Sequence, residues 1–301
     1  MGFYHNPILL HQAIDGLNIR EHGVYVDMTY GGGGYSAEIL RRAKDIKVIA
    51  FDMDSDALVN KLDDNRLTLV HSNFCFFDHF LDYLNIQQVD GIVADLGVSS
   101  HQFDTAERGF SFRFDDGPLD LRMNKEAHKT AAQVLNTYSE EKLKEIFYRY
   151  GEVENAAKLS KQIVIQRNEK KLEKVSDFLA AINLLIPKGK EHKYLAKVFQ
   201  ALRIEVNEEL DALKEMLEKS VEYLKPEGRL SIVSYHSLED GLVKNFIKSG
   251  NFEGKIEKDF KGNQLNVKLV QVHKKAIQPT EQEIESNNRA RSAKLRIAER
   301  I

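Results

Sequence analysis

Cysteine is almost missing from this chain, with one residue, Cys75, among 301. A single thiol cannot close an intrachain disulfide or hold a cysteine-rich zinc or iron–sulfur centre, so radical chemistry on a cysteine-held cluster is excluded. Cys75 reads as a small buried apolar residue. Histidines at metal-ligand spacing are missing too: His11, His71, His79 and His101 stand alone, and no metal is expected. No stretch approaches the ~20 consecutive apolar residues of a membrane span. The opening MGFYHNPILL has no basic segment ahead of an apolar one, so the expectation is a cytoplasmic protein with no membrane partner. G-x-x-x-x-G-K-[ST] does not occur, which removes a phosphate-cradling P-loop. Internal repeats and low-complexity tracts are also lacking.

What is present is ordinary globular composition, 42% hydrophobic over 301 residues. That is enough for one doubly wound core with a second lobe, or for two modest domains. The formal charge of −3 excludes a polycation. Basic residues nevertheless crowd three stretches: Lys158, Lys161, Arg167, Lys170, Lys171 and Lys174; then Lys188 to Lys197; then Arg289 to Arg300. Patches of this kind can hold phosphates whatever the total charge. On charge alone, solvated helix faces explain them more simply.

The first third alternates strand and helix. Val24 to Asp27 ends at a glycine cluster, Ser36 to Ala43 reads as helix, and Lys47 to Asp54, Leu67 to His71 and Val89 to Leu96 are further strands. That order implies a parallel sheet with right-handed crossovers. Ser99 to Met123 then loses all period and reads as a long loop of a functional kind. Helices follow at Ala131 to Asn136, Glu140 to Tyr150, Glu154 to Asn168 and Ser176 to Ile186. Asp104 to Lys197 is therefore expected as a helical insertion of small-domain size, with 1–103 and 198–301 forming the other domain. Val198 to Leu224 carries one apolar stripe at three- and four-residue spacing, predicting a single long helix ended by Pro226 and Gly228. Arg229 to Tyr235 is a fifth core strand. Lys255 to Phe260 and Leu265 to His273, joined through Gly262-Asn263, read as an antiparallel edge hairpin.

Chemistry concentrates at the strand ends. The glycine cluster Gly31 to Gly34 lies between strand and helix, where doubly wound folds bind ligands; a tight turn explains it equally well. Asp52, about 20 residues downstream at the end of the second strand, is placed to accept both hydroxyls of an adenosine ribose. Asp27 at the tip of the first strand would repel a pyrophosphate but suits the cationic amino end of S-adenosylmethionine. Ser36 occupies the place of a third glycine. Phe74, with Phe80 behind it, could lie against adenine, although core packing accounts for this aromatic run equally well. Asp95 ends the fourth strand at the switch point of the sheet, where an active-site carboxylate is commoner than a buried structural one.

Seven ordered motifs then match one pattern: D-M-T-Y-G-G-G-G-Y-S, D-L-G-V-S-S-H-Q-F-D, E-R-G-F-S-F, D-G-P-L-D-L-R-M, F-Q-A-L-R-I-E-V-N, S-Y-H-S-L-E-D and R-A-R-S-A-K-L-R. Together they resemble the bacterial RsmH family, formerly MraW, of 16S ribosomal RNA cytosine-N4 methyltransferases, from His5 to the C-terminus. The resemblance implies an α/β class I (Rossmann-like) S-adenosylmethionine methyltransferase sheet with an inserted all-helical, substrate-recognising domain. It implies transfer of a methyl group to a cytidine amine in the decoding centre of 16S rRNA within the small ribosomal subunit. Carried over by position, the cofactor contacts would be Gly33, Gly34, Tyr35, Asp52, Phe74, Asp95 and Gln102. Three positions depart from the pattern: Tyr35 stands where many members have His, Gly241 where Arg is common, and Asn288 where the motif has Pro.

Methyl transfer from a sulfonium is an in-line displacement, so positioning dominates the catalysis. A cytosine amine is a poor nucleophile, and a carboxylate accepting its N–H would assist. The D-P-P-Y and N-P-P-Y tetrapeptides of other amino-methyltransferases are missing, leaving Asp95 and Asp116 as candidate acceptors. For Asp116, turn chemistry in Asp115-Asp116-Gly117-Pro118 explains the residue equally well. His236 could contact the base, while Ser237 is more economically a helix cap. Gln200, Arg203 and Asn207 share one helix face, and the resemblance favours RNA or active-site support over a merely satisfied polar face. Phe110, Phe112 and Phe114 could stack on an unstacked base, and Lys170 and Lys171 could hold neighbouring phosphates. Two other classes share part of this pattern. A dinucleotide oxidoreductase is disfavoured by Asp27 and the missing third glycine, and a noncatalytic ribosome-assembly factor by the intact acidic positions.

Overall fold

Seven strands form one sheet: β1 (Val24–Asp27), β2 (Lys47–Asp52), β3 (Leu67–His71), β4 (Val89–Asp95), β5 (Leu224–Ser234), β6 (Leu269–Gln271) and β7 (Lys294–Arg300), in the order β3-β2-β1-β4-β5-β7-β6. This is a computed structural model, and it describes residues 7–262 and 264–301. Strands β1 to β5 run parallel, and β7 lies antiparallel between β5 and β6. The strand sequences explain the layering. Alternate residues turn to opposite faces: Tyr25, Val48, Ala50, Val93 and Val233 join one core, while Val26, Ile49, Phe51, Ile92, Ala94 and Ile232 join the other. Both faces are therefore apolar, as a parallel sheet covered by helices on both sides requires. The expected α/β class is the observed one.

The chain divides into two compact units, one made of the residues up to Gly97 with Leu210–Ile301, the other of Val98–Glu209. The second unit packs helices Ala131–Thr137, Glu140–Arg149, Ala156–Glu169, Val175–Ile182 and Glu191–Asn207 around Leu135, Phe147, Leu159, Phe178, Val198 and Leu202. Its first 25 or so residues, expected as loop, contain the short helix Ser100–Asp104. They wind around Arg108, only 5% exposed, whose guanidinium donates to the Arg122 and Met123 carbonyls at 2.9 Å each.

Two expectations are corrected. The long helix from Val198 is two helices, Glu191–Asn207 and Glu209–Tyr223, because Glu208 between them adopts left-handed φ, 53°, which no helix interior tolerates. The edge hairpin shrinks to one isolated bridge, Lys258 to Gln264, and Phe260 stands 94% exposed, since the alternation there has no core face to serve. Asn263 of its turn, and His5 and Asn6 at the start of the resemblance, lie outside the described residues. The real partner of β6 is β7, hidden in a basic segment whose Leu295 and Ile297 nonetheless face inward.

Candidate active site

The carboxyl ends of β1, β2 and β4 each finish on an aspartate, and the parallel pairing of these strands sets all three at one edge of the sheet. Asp27 is fully buried. It accepts from the Ser36 hydroxyl at 2.7 Å and the Thr29 N–H at 3.2 Å. Burial pushes its carboxyl up to about 6, against the pull of those donors. Asp52, half-buried, accepts the Gly31 N–H at 2.7 Å and the Asp54 N–H at 2.8 Å. Burial again raises it to about 6. Asp95, also half-buried, accepts from the Tyr235 hydroxyl at 2.7 Å, and its own N–H donates to Thr29 Oγ1 at 2.7 Å. Burial lifts it to about 7, the Tyr235 hydroxyl opposing and the Asp27 and Glu239 charges adding to the rise. A carboxylate in such surroundings wants a cation or a proton.

The glycine loop leads from β1 into the helix Gly34–Arg42. Gly33 caps that helix in left-handed conformation, φ 78°, and a Cβ there would come within 2.7 Å of the Tyr30 hydroxyl. At Gly34 a Cβ would strike Pro7 at 2.2 Å. At Gly31 and Gly32 a Cβ would meet none of the described residues within 4 Å, so among these residues this part of the loop borders open space beside Asp52. The Tyr35 side chain is buried to 3% exposure, its hydroxyl donating to the Ile8 carbonyl and lying beside the Asp95 carboxyl. That bond ties the Ile8 backbone to the first turn of the helix after the glycine loop. Phe74 opens a short turn after β3, capped by the Asn73 side chain, and is half-buried against the core. Phe80 lies edge-on to Phe51 at 5.8 Å.

His236 caps the helix Ser237–Ser249, the role expected of Ser237, with Nδ1 accepting the Glu239 N–H at 3.4 Å. Its Nε2 lies 2.9 Å from Glu239 Oε1, although the angle makes no hydrogen bond. The remaining candidates belong to the second unit. Gln102 is buried and forms a reciprocal capping box with Ser99. Asp116 is 95% exposed on its turn, 3.5 Å from Lys174, so the enclosure that characterises Asp95 is lacking there. Arg203 grips Glu209 with two bonds of 2.8 Å. Both N–H groups of the Asn207 amide are spent on the Leu121 and Arg203 carbonyls, and its oxygen accepts the Met123 N–H at 2.7 Å. Arg203 and Asn207 therefore brace their own unit rather than present free donors to RNA. Phe110 is buried and Phe112 packs on Phe199 and His192, so neither is a stacking platform. Lys170 pairs with Asp177 at 2.6 Å, and Lys171 is exposed.

Sequence reasoning missed Thr29, Tyr235 and Glu239, and saw Ser36 only as a replaced glycine. Ser36 carried a usable signal, a hydroxyl in the first turn of the helix that follows Asp27. Tyr235 carried none until the sheet order placed β5 beside β4.

A family model described as the MraW methylase family matches residues 2–301. The chain belongs to that family. Among its curated relatives is the ribosomal RNA small subunit methyltransferase H of Bacteroides thetaiotaomicron, 55% identical over 99% of this chain and 97% of that protein. The equally named proteins of Bacteroides fragilis and Flavobacterium johnsoniae are 55% and 52% identical over the same 99% of this chain, covering 97% and 98% of theirs. Membership extends across both units, so the helical unit is as much a part of the family pattern as the sheet.

Proposed function

We propose that this family member transfers a methyl group from S-adenosylmethionine to the exocyclic N4 amine of a cytidine in the decoding centre of 16S rRNA, acting on the small ribosomal subunit. The observation that carries the reading is the trio Asp27, Asp52 and Asp95 around a glycine loop that borders open space, in a chain matched end to end by small-subunit rRNA methyltransferases. The donor set fits the cofactor. Asp52 and the Gly31 to Gly34 turn suit a ribose and an adenosine, Phe74 suits the adenine face, and the buried acids at β1 and β4 suit an ammonium and a sulfonium. When bound, the cofactor supplies an electrophilic methyl group.

The remaining work falls to the protein. Asp95 accepts a proton from the cytosine amine, a role to which its raised basicity and fixed position suit it; Asp116, exposed and tied to Lys174, is the weaker candidate. Gln102 belongs with the cofactor contacts on this reading, the helical unit recognises the substrate, and Lys170 and Lys171 contribute phosphate contacts. The chain is placed in the cytoplasm on this reading, and no helix among the described residues is long and apolar enough to cross a membrane.

The direct test is incubation with methyl-labelled S-adenosylmethionine and small subunits from cells lacking the protein, followed by nucleoside mass analysis. Label recovered as N4-methylcytidine, and lost in Asp52→Ala, supports the assignment. Label on another nucleoside, or none on any subunit preparation despite cofactor binding, overturns it.

A further inference from the structure

We propose that Tyr235 is a positioning residue for the amine's proton acceptor, its hydroxyl orienting and tuning the Asp95 carboxylate from the neighbouring strand. The inference rests on the methyl-transfer reading above. Thr29 Oγ1 accepts the Asp95 backbone N–H and the Tyr235 hydroxyl donates to its Oδ1, both at 2.7 Å, while the Tyr35 hydroxyl, committed to the Ile8 carbonyl, lies beside the same carboxyl. Tyr235 is itself fixed. Its N–H donates to Glu239 Oε2 at 2.9 Å.

The kind of donor matters more than its presence. Among the described residues, the groups that act most strongly on Asp95 are acidic or neutral: Asp27 from β1, Tyr35 from the helix Gly34–Arg42, Glu239 from the helix Ser237–Ser249, and Tyr235 itself. Where this protein gives a carboxylate guanidinium partners, as at Glu38 with Arg41 and Arg42, the group falls to about 2 and is useless as a base near neutrality. A phenol donor gives a weaker pull. It holds the geometry and favours the anion without quenching its basicity. In the reaction the amine nitrogen gains the methyl carbon as the carbon–sulfur bond breaks with its electron pair left on sulfur. One N–H proton of the now cationic nitrogen passes to Asp95, leaving a neutral methylated amine and a neutral carboxylic acid.

The test is Tyr235→Phe in the full-length protein, read in three ways. Carbon-13 NMR of aspartate-labelled, cofactor-free protein should show Asp95 titrating at higher pH than in wild type. In methyl transfer, kcat at pH 7 should fall about tenfold or more and the acid limb of its pH profile should move upward, while KM for the subunit and cofactor affinity at pH 8 stay within about twofold. In an Asp95→Asn background the same change should have no further effect on kcat. An Asp95 titration and acid limb that stay where they are in wild type overturn the proposal, as does a loss confined to cofactor affinity. Should Tyr235→Phe fail to fold, 3-fluorotyrosine at position 235 provides a more acidic donor and should move the same limb downward; an unmoved limb overturns it equally. If wild type transfers no methyl group at all, the underlying reading fails, while the NMR titration still decides whether Tyr235 tunes Asp95.

Discussion

The two units treat buried polarity in opposite ways. In the helical unit, polar groups taken out of water are matched internally: Arg203 with Glu209, Arg122 with Asp120, Arg108 with two carbonyls, and Asn207 with three backbone groups. At the strand ends of the sheet unit, Asp27, Asp52 and Asp95 receive only neutral donors, and none has a cation within ion-pair distance among the described residues. The same unit can neutralise acids elsewhere. Burial works against ionised Asp240, yet Arg296 at 2.7 Å and Lys294 at 3.1 Å outweigh it and hold the carboxyl below its usual range. Three incompletely compensated carboxylates at one sheet edge are thus a local exception. Buried charge left without a counterion destabilises a fold, and a cationic ligand at these strand ends would offset that cost.

The sharpest way to break this contrast is Asp95→Asn. Methyl transfer should fall by about 10²- to 10⁴-fold in single-turnover assays while the melting temperature of the cofactor-free protein rises. A lower melting temperature would show Asp95 to be structural. The counterpart in the helical unit is Arg203→Ala, which strips the guanidinium from the enclosed Glu209 carboxylate and should cost about 3–5 kcal/mol in denaturant unfolding. Arg203→Met with Glu209→Met should restore most of that. If the single change is harmless, the pair is not the brace its geometry indicates.

Acidity separates the two kinds of carboxylate by sign. An unfolded aspartate titrates near ~3.9, but Asp27 and Asp52 do so at about 6 and Asp95 at about 7. Between those values the native state holds more protons than the unfolded chain, so these groups lower stability as pH rises from about 4 to about 7. Glu38 acts in reverse. Its contribution is present at neutral pH and is lost as pH falls toward about 2. A cationic ligand requires the strand-end acids ionised, so cofactor affinity should weaken below pH 6, by up to about tenfold per pH unit for each carboxylate that must shed a proton. Calorimetry at pH 6 in buffers of different ionisation enthalpy should register proton release on binding; no release would mean that the acids are already ionised.

Smaller effects refine the picture. Ser36→Ala removes a donor from buried Asp27 and should weaken cofactor binding by about 1–3 kcal/mol, an effect that should fade at higher pH as Asp27 ionises. The smallest change is expected from Lys170→Glu with Lys171→Glu, since Lys170 already pairs with Asp177. Their contribution should appear as a salt slope of rRNA binding reduced by about two, and an unchanged slope would remove these lysines from the RNA surface.

Much of this was legible in the residues themselves. Strands β1 to β4 and the apolar end of β5 were legible as short runs rich in β-branched and apolar residues bounded by turn signals, and Asp27, Asp52 and Asp95 followed as the endings of three of them. What escaped notice depends on pairings distant in sequence. Strand β7 reads as a basic tail until β5 and β6 are beside it. Arg203 and Asn207 sit on one helix face, as spacing requires, but which carboxylate and which carbonyls they meet is decided by the chain around Leu121 and Glu208. Phe110 and Phe112 made an exposed-looking aromatic loop because local sequence does not reveal that Arg108 draws that loop inward.

The bond between Tyr235 and Asp95 spans 140 positions of the chain, and that separation bears on how the protein folds. Loop-closure entropy rises only slowly with length, by about 0.6 kcal/mol per doubling, but it opposes folding before any distant contact forms. Contacts of such long range slow folding. Asp95 and its phenol partner therefore meet late, after the local strand–helix units on either side have formed. A chain caught before that step would hold its three aspartates free in water, with the ordinary acidity of a solvated carboxyl.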